Sequence, residues 1–117
     1  MIQAQPPTTF WRSLGYAWDG LLHTVVHQRN MRMHLVAAAL VAQVGCGLAL
    51  GLAERVTLLL CVPLVLFAEL LNTALEQLVD LATRERDERA RIAKDVAAAG
   101  VLVLALGTVA ILAAVLV

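Results

Sequence analysis

Four polar side chains recur at helical spacing inside an apolar segment of the chain: Glu69, Asn72, Glu76 and Asp80, hereafter the acidic stripe. At about 100° per residue they fall within an arc of roughly 80°, on one narrow face of a helix. Carboxylate and amide oxygens suit a hard cation such as Mg²⁺, and a further carboxylate can accept a proton from an attacking hydroxyl. The same stripe could instead relay protons or ions, as intramembrane carboxylates do in transporters.

The composition places the acidic stripe in a membrane. Hydrophobic residues make up 61% of the 117 residues and charged residues only 15%, against about 25% charged in a soluble domain. The formal net charge of zero argues against a nucleic-acid partner. An unpaired charge at membrane depth costs at least ~2.5 kcal/mol. The stripe must therefore face protein, water or bound cations, or pair with bases near its helix end, such as Arg32, Arg84 or Lys94.

The segments that must position the stripe are predicted to be helical throughout. Residues 33–53, 56–81 and 95–117 are apolar enough and long enough to cross a ~30 Å hydrocarbon core as helices. Residues 9–30 instead place apolar side chains at three- and four-residue spacing and contain both tryptophans and the only tyrosine, which predicts an amphipathic surface helix. The fold predicted is an all-α membrane protein with a single membrane domain, 1–117.

Charge placement predicts the orientation of this domain and its connections. Eight of the nine basic residues precede the first span or lie between the second and third, and the exception is Arg55. The positive-inside rule then puts the N-terminus in the cytoplasm and the C-terminus outside. Residues 83–91 carry charges of both signs and predict a solvated loop. Gly47 and Gly51 form a small-residue pair that could admit another helix.

Two sequence motifs resemble the signature of the small bacterial diacylglycerol kinase/undecaprenol kinase family. They are Glu69-Leu-Leu-Asn-Thr-Ala-Leu-Glu-Gln-Leu-Val-Asp80 and Ala93-Lys-Asp-Val-Ala-Ala98, and the segments Gln28–Leu35 and Ala17–Gly20 also fit. The resemblance implies a homotrimer of the bacterial inner membrane, with three transmembrane helices and a surface helix per subunit. It further implies composite sites between subunits, which transfer the γ-phosphate of ATP, with Mg²⁺, to the primary hydroxyl of a membrane lipid.

By position, the resemblance also implies roles for individual residues. Glu69 would be the general base and Glu76 a Mg²⁺ ligand. Gln28 stands where many members have a second acidic ligand, which predicts weaker metal binding or assistance from another carboxylate such as Glu85. The implied nucleotide-binding residues are Tyr16, Gln28, Glu76, Glu85, Lys94 and Asp95. The residues implied to bind lipid or support the site are Trp18, Asn30, Arg32, Arg55, Asn72, Asp80 and Ala98.

Several alternatives remain open at the level of sequence. The run Arg29–His34 is more similar to the undecaprenol kinase branch, which favours undecaprenol over diacylglycerol as the substrate. A small proton- or ion-coupled transporter would use the same carboxylates without ATP. A catalytically silent membrane adaptor is the third hypothesis, because Gln28 lowers the negative charge available to a metal. The partners predicted for the kinase are ATP, a lipid alcohol and further copies of the chain, with no nucleic acid.

Overall fold

The computed structural model describes residues 9–117, and four α-helices account for most of this part of the chain. Residues 1–8 of the predicted domain lie outside the described residues. The helices, in chain order, are α1 (Phe10–His27), α2 (Arg29–Gly47), α3 (Leu52–Ala82) and α4 (Glu88–Leu116). Helix α3 is central and packs against both α2 and α4, whereas α1 mainly contacts α2.

Helix α1 corresponds to the amphipathic helix predicted over residues 9–30. It begins at an N-cap, where the Thr9 hydroxyl accepts a hydrogen bond from the Arg12 backbone N–H at 3.3 Å. It ends three residues before the predicted boundary because Gln28 adopts an extended conformation, with φ −113° and ψ 111°. Gln28 is thus the single residue at which the chain turns from α1 into α2, and both tryptophans of α1 are exposed.

Helix α2 is shorter than the first predicted span. Its last residue is Gly47, so the helix stops six residues before the predicted end at residue 53. Its 19 residues also include Arg29 and Arg32 at the start. Within residues 9–117, two helices, α3 and α4, are long and apolar enough to cross a membrane by length and composition. These two helices support a membrane protein, while a third span through α2 remains a prediction.

The contact between α2 and α3 depends on one glycine. Gly45 is buried, and a Cβ added there would lie 3.1 Å from the Leu59 Cδ2 atom, so the absence of a side chain lets the two helices approach closely. The pair predicted for such a contact, Gly47 and Gly51, has no neighbour within 4 Å of its added Cβ atoms inside the described chain. Within one chain the close approach therefore occurs at Gly45, and approach of a helix from another copy at Gly47 and Gly51 stays a prediction.

The charged connection between α3 and α4 is shorter than predicted. It occupies residues 83–87, and residues 88–91 of the predicted loop form the start of α4. Asp87 caps this helix by accepting a hydrogen bond from the Arg89 backbone N–H at 2.7 Å. Arg91 pairs with Glu88 one turn before it and with Asp95 one turn after it, and such pairs stabilise a helix. Mixed charges here support a helix start rather than a loop.

Candidate active site

The acidic stripe lies on one face of α3, as predicted, and its burial decreases along the helix. Glu69 is 3% exposed and Asn72 is 9% exposed, whereas Glu76 is half-buried and Asp80 is exposed. About 16 Å separates the first and last of these residues along the axis. A buried carboxylate at one end and solvated polar groups at the other allow an apolar molecule and a charged one to meet on this face.

Glu69, the deepest member of the stripe, has a partner on α2. The His34 Nε2 atom lies 3.1 Å from Glu69 Oε1, across the α2–α3 contact. Sequence reasoning noted His34 only as part of a basic run and assigned it no role. The pairing depends on the register between two helices, and no local pattern in the sequence reports that register.

Asn72 and Glu76 are joined one helical turn apart. The Asn72 amide donates a hydrogen bond from Nδ2 to Glu76 Oε1 at 3.2 Å. The carbonyl oxygen of the same amide, Oδ1, is buried and has no hydrogen-bond partner within the described residues. Buried polar atoms are nearly always paired, so this oxygen is available to a ligand that offers a proton or a positive charge.

Asp80 and Lys94 link the stripe to α4. The Lys94 ammonium contacts Asp80 Oδ1 at 2.5 Å, which confirms the expectation that a stripe carboxylate pairs with a base at the helix end. Asp95, the next residue, is bound by Arg91 at 3.0 Å. In this structure both predicted nucleotide-binding residues of α4 therefore make ion pairs within the chain.

A polar cavity of about 780 Å³ opens between the ends of α3 and α4. Asp80, Glu85 and Lys94 line it, together with the arginines of residues 84–91 other than Arg89. Its volume falls within the range of ligand pockets, about 300 to 1,000 Å³. The predicted nucleotide contacts Glu85 and Lys94 thus share one cavity with the last residue of the stripe.

The two arginines predicted to lie near the lipid, Arg32 and Arg55, bind backbone carbonyls at helix ends. Arg32 donates hydrogen bonds to the carbonyls of Val25 and Val26, at 2.9 and 2.8 Å, in the last turn of α1. Arg55 donates to the carbonyls of Gly45, Cys46 and Leu48 at the end of α2, at 2.7, 3.3 and 3.2 Å. Helix C-terminal carbonyls lack partners inside the helix, so both guanidinium groups stabilise the chain's own turns.

The remaining predicted site residues are not joined to the stripe within one chain. No hydrogen bond or ion pair connects any of them to it in the part of the chain that the structure describes. Most of these side chains are exposed, and Gln28 is half-buried at the α1–α2 turn. They are Tyr16, Trp18, Gln28, Asn30 and Ala98.

The oxygen donors of the stripe suit a divalent cation that also binds substrate phosphates. Residues 9–117 contain no group of three or more His, Cys, Asp or Glu side chains that could hold a metal on their own. Mg²⁺, however, is typically held by one or two carboxylates together with substrate phosphates and water. Glu76 offers a partly exposed carboxylate, and the unpaired Oδ1 of Asn72 lies beside it. These oxygen donors fit a nucleotide-bound Mg²⁺ rather than a metal held by the protein alone.

These features define a class: a helical membrane protein with a polar stripe on one helix face that is buried at one end and open to water at the other. The family model for prokaryotic diacylglycerol kinase matches residues 15–116. The chain belongs to the prokaryotic diacylglycerol kinase family, whose named members compared below are lipid kinases.

Three relatives show the spread of named substrates. The chain is 41% identical over 98 residues to a diacylglycerol kinase of Synechocystis, which covers 83% of this chain and 56% of that protein. It is 34% identical over 96 residues to the diacylglycerol kinase of Escherichia coli K12, and the match covers 82% of this chain and 79% of that protein. It is 36% identical over 96 residues to the undecaprenol kinase of Bacillus subtilis, and the match covers 82% of this chain and 78% of that protein. Similar identities to both kinds of kinase leave the lipid unresolved.

Proposed function

We propose that this protein is an ATP-dependent lipid kinase that phosphorylates the primary hydroxyl of a membrane lipid, with undecaprenol as the lipid. The observation that carries the proposal is the gradient along α3, from the buried Glu69 to the polar cavity at Asp80 and Lys94. A lipid alcohol reaches the buried end from the bilayer, while a nucleotide reaches the open end from water. Phosphoryl transfer depends mainly on positioning and charge stabilisation, so no nucleotide-binding fold is required.

In the proposed reaction Glu69 is the general base. Its carboxylate accepts the proton of the lipid hydroxyl as the hydroxyl oxygen attacks the γ-phosphorus. The bond from that phosphorus to the β–γ bridging oxygen breaks, and ADP leaves with the electron pair. Lys94, released from Asp80, would neutralise phosphate charge, and Asp95 and Glu85 would contact the nucleotide. Mg²⁺, held by Glu76 with Gln28 or the neighbouring Asn72 oxygen, would supply further charge neutralisation on the phosphates.

The proposed arrangement in the membrane has three spans and places α1 on the cytoplasmic face. Helix α2 would be the first of these spans, and its residues 33–47, which follow Arg29 and Arg32, extend about 22 Å along the axis. The charged ends of α3 and α4 would face the cytoplasm, where ATP is present. We further propose the bacterial inner membrane as the location and a homotrimer as the assembly, in which Tyr16 and Trp18 serve the site of a neighbouring subunit.

Undecaprenol is proposed over diacylglycerol because the run Arg29–His34 resembles the corresponding segment of the undecaprenol kinase branch. The structure adds one consideration. Arg32 donates hydrogen bonds to backbone carbonyls of α1, so fewer of its N–H groups are free to bind a lipid. A lipid alcohol without polar ester groups demands fewer hydrogen-bond donors from this region than diacylglycerol does.

The test is transfer of labelled phosphate from γ-labelled ATP to undecaprenol and to diacylglycerol, offered separately in the same mixed micelles with Mg²⁺. Purified protein is compared with the Glu69→Gln variant, which matches it in shape. Labelled undecaprenyl phosphate formed by the wild-type protein and not by the Glu69→Gln variant would support the proposal. Preferential labelling of diacylglycerol would keep the reaction and change the substrate. Labelling of neither lipid by a folded protein would contradict the kinase function and favour a transporter or an adaptor.

A further inference from the structure

We infer that His34 is a positioning residue for the general base Glu69. The inference rests on the proposed function, because it assigns His34 a part in the same reaction. Its basis is the contact between His34 Nε2 and Glu69 Oε1 at 3.1 Å, made across two helices. An ionised carboxylate only accepts hydrogen bonds, so the imidazole donates through Nε2–H.

Glu69 has no other partner that could fix its carboxylate. Within the described residues no other hydrogen bond or ion pair reaches it, although its side chain is only 4% exposed. A glutamate side chain has several rotatable bonds, and a buried carboxylate without a partner is costly. The imidazole therefore determines where the carboxylate lies.

The contact with His34 also leaves the second carboxylate oxygen of Glu69, Oε2, free. Because His34 occupies Oε1, the second oxygen of Glu69 remains available for the proton of the lipid hydroxyl. This is the general arrangement in which a reactive group is oriented by a third residue that does not touch the substrate. His34 acts through Glu69 and does not itself exchange a bond in the reaction.

The surroundings of His34 favour this single pairing. The histidine lines an apolar cavity of about 300 Å³ between α2, α3 and α4. The one hydroxyl in its lining belongs to Thr108, and that hydroxyl already donates to the Leu104 carbonyl at 2.8 Å. Within the described residues no hydrogen bond or ion pair joins His34 to a side chain other than Glu69, and an apolar environment strengthens this hydrogen bond.

The kinetic test replaces His34 by residues that do or do not keep the donor. His34→Phe retains a flat ring of similar size and removes the donor, whereas His34→Gln keeps an N–H at a comparable reach. The matched control is His23→Phe, the same change on an exposed position of α1. We expect His34→Phe to lower kcat by about 10- to 100-fold with the KM for ATP nearly unchanged, and His34→Gln to restore much of the loss.

A second measurement tests the contact without relying on turnover. The chain has three histidines, so ¹⁵N-histidine labelling of the full protein in lipid vesicles gives few signals, and the His34→Phe variant assigns the signal of His34. We expect the Nε2 resonance of His34 to shift in the Glu69→Gln variant and to stay in place in Asp80→Asn, which changes the far end of the stripe.

The kinetic and NMR results each support or overturn the positioning role of His34. A kcat of His34→Phe equal to that of His23→Phe would overturn it, as would a His34 resonance unaffected by Glu69→Gln. Equal losses in the Phe and Gln variants with a raised KM would show a structural role only. If the wild-type protein transfers no phosphate, the proposed function fails and His34 has no catalytic base to position, while the resonance still reports whether the contact forms.

Discussion

Glu69 and Asp80 share a helix face and a side-chain chemistry, yet their surroundings differ. Glu69 is buried against a single histidine, whereas Asp80 is exposed and paired with Lys94. Two carboxylates placed in environments this different can perform different tasks in one reaction. The environment, rather than the residue type, thus favours Glu69 as the base and Asp80 as the partner of a cation.

At this scale the first prediction concerns Glu69→Gln. The amide has nearly the same shape as the carboxylate and can still accept a hydrogen bond from His34, so the thermal unfolding midpoint should change little. The amide cannot take a proton from the lipid hydroxyl, so turnover should fall by at least about 100-fold, the lower range for general-base catalysis. Phosphate transfer and thermal unfolding in the same detergent measure both effects, and wild-type-like turnover would contradict the base assignment.

The second prediction concerns the metal. Glu76→Gln removes a negative charge from the proposed ligand set, so half-maximal activity should require more Mg²⁺. Gln28→Glu should act in the opposite direction and lower the Mg²⁺ requirement. Activity is measured across a Mg²⁺ titration at fixed ATP. Identical titrations for the three proteins would place the metal elsewhere.

The stripe itself is predictable from sequence, because helical periodicity fixes which side chains share a face. The side chains that pair with the stripe residues are harder to predict from sequence. The ion pair between Asp80 and Lys94 was expected as one of several options, whereas the contact from His34 to Glu69 was not. Pairing between helices depends on their relative rotation and translation, and a change of one residue in register would turn His34 away from Glu69.

At the scale of helices, the type of each element follows from its pattern while its ends depend on other parts of the chain. Helix α2 ends at Gly47, and Arg55, from α3, binds carbonyls of its last turn. Helix α4 begins at Glu88 because Asp87 caps it. The hydropathy pattern predicts neither boundary, since apolar residues continue past Gly47 and charged residues continue past Asp87.

The third prediction tests the cap at the end of α2. Arg55→Lys retains the charge but loses the planar fork that reaches several carbonyls at once. Hydrogen bonds to charged groups contribute about 1.5 to 3 kcal/mol. The variant should therefore unfold at a lower denaturant concentration, and its free energy of unfolding should fall by about that amount or less. Amide exchange should rise first around residues 45–48. A stability equal to wild type would show that water satisfies these carbonyls as well.

The fourth prediction concerns the start of α4 and its pH dependence. The backbone N–H of Arg89 donates to the Asp87 carboxylate and holds the pKa of that carboxyl below its usual value. A lowered pKa in the folded state means that the cap stabilises above the unfolded pKa, about 3.9, and is lost as the pH falls through the folded value. The protection of the Arg89 amide against exchange, relative to an unfolded chain at the same pH, should therefore fall below about pH 4.

The matched variant for this prediction is Asp87→Asn. Asparagine caps a helix about as well as aspartate does, but its amide does not titrate in this range. The variant should keep the protection of the Arg89 amide near neutral pH and should lose the acid-dependent step. The same step in both proteins would show that Asp87 is not the source of the pH dependence.

At the scale of the whole molecule, most of the apolar surface has no partner within one chain. In the most apolar stretch of α4 only 6% of residues are buried, and in that of α3 the share is 33%. In a membrane, lipid or further copies of the chain must cover these faces. Tyr16 on α1 is 61% accessible, and within the described residues no hydrogen bond or ion pair joins it to the stripe of its own chain.

The fifth prediction follows from this separation between α1 and the stripe. If Tyr16 serves the site of a neighbouring subunit, a site needs α1 from one chain and α3 from another. Tyr16→Leu and Glu69→Gln subunits should each have little activity alone. Mixed in denaturing detergent and reassembled together, they should regain activity, because some sites then receive an intact α1 from one variant and an intact stripe from the other.

The control for this experiment mixes Glu69→Gln with Glu76→Gln. Both changes lie on the same face of α3, so every stripe in a mixed assembly carries one defect, and no activity should return. Recovery in the first mixture but not in the second would show that α1 and α3 of different subunits form one site. Failure of both mixtures, with assembly verified by cross-linking, would instead confine the site to a single chain. Tyr16 would then have to approach the stripe by a movement of α1 about Gln28, the one residue that separates α1 from α2.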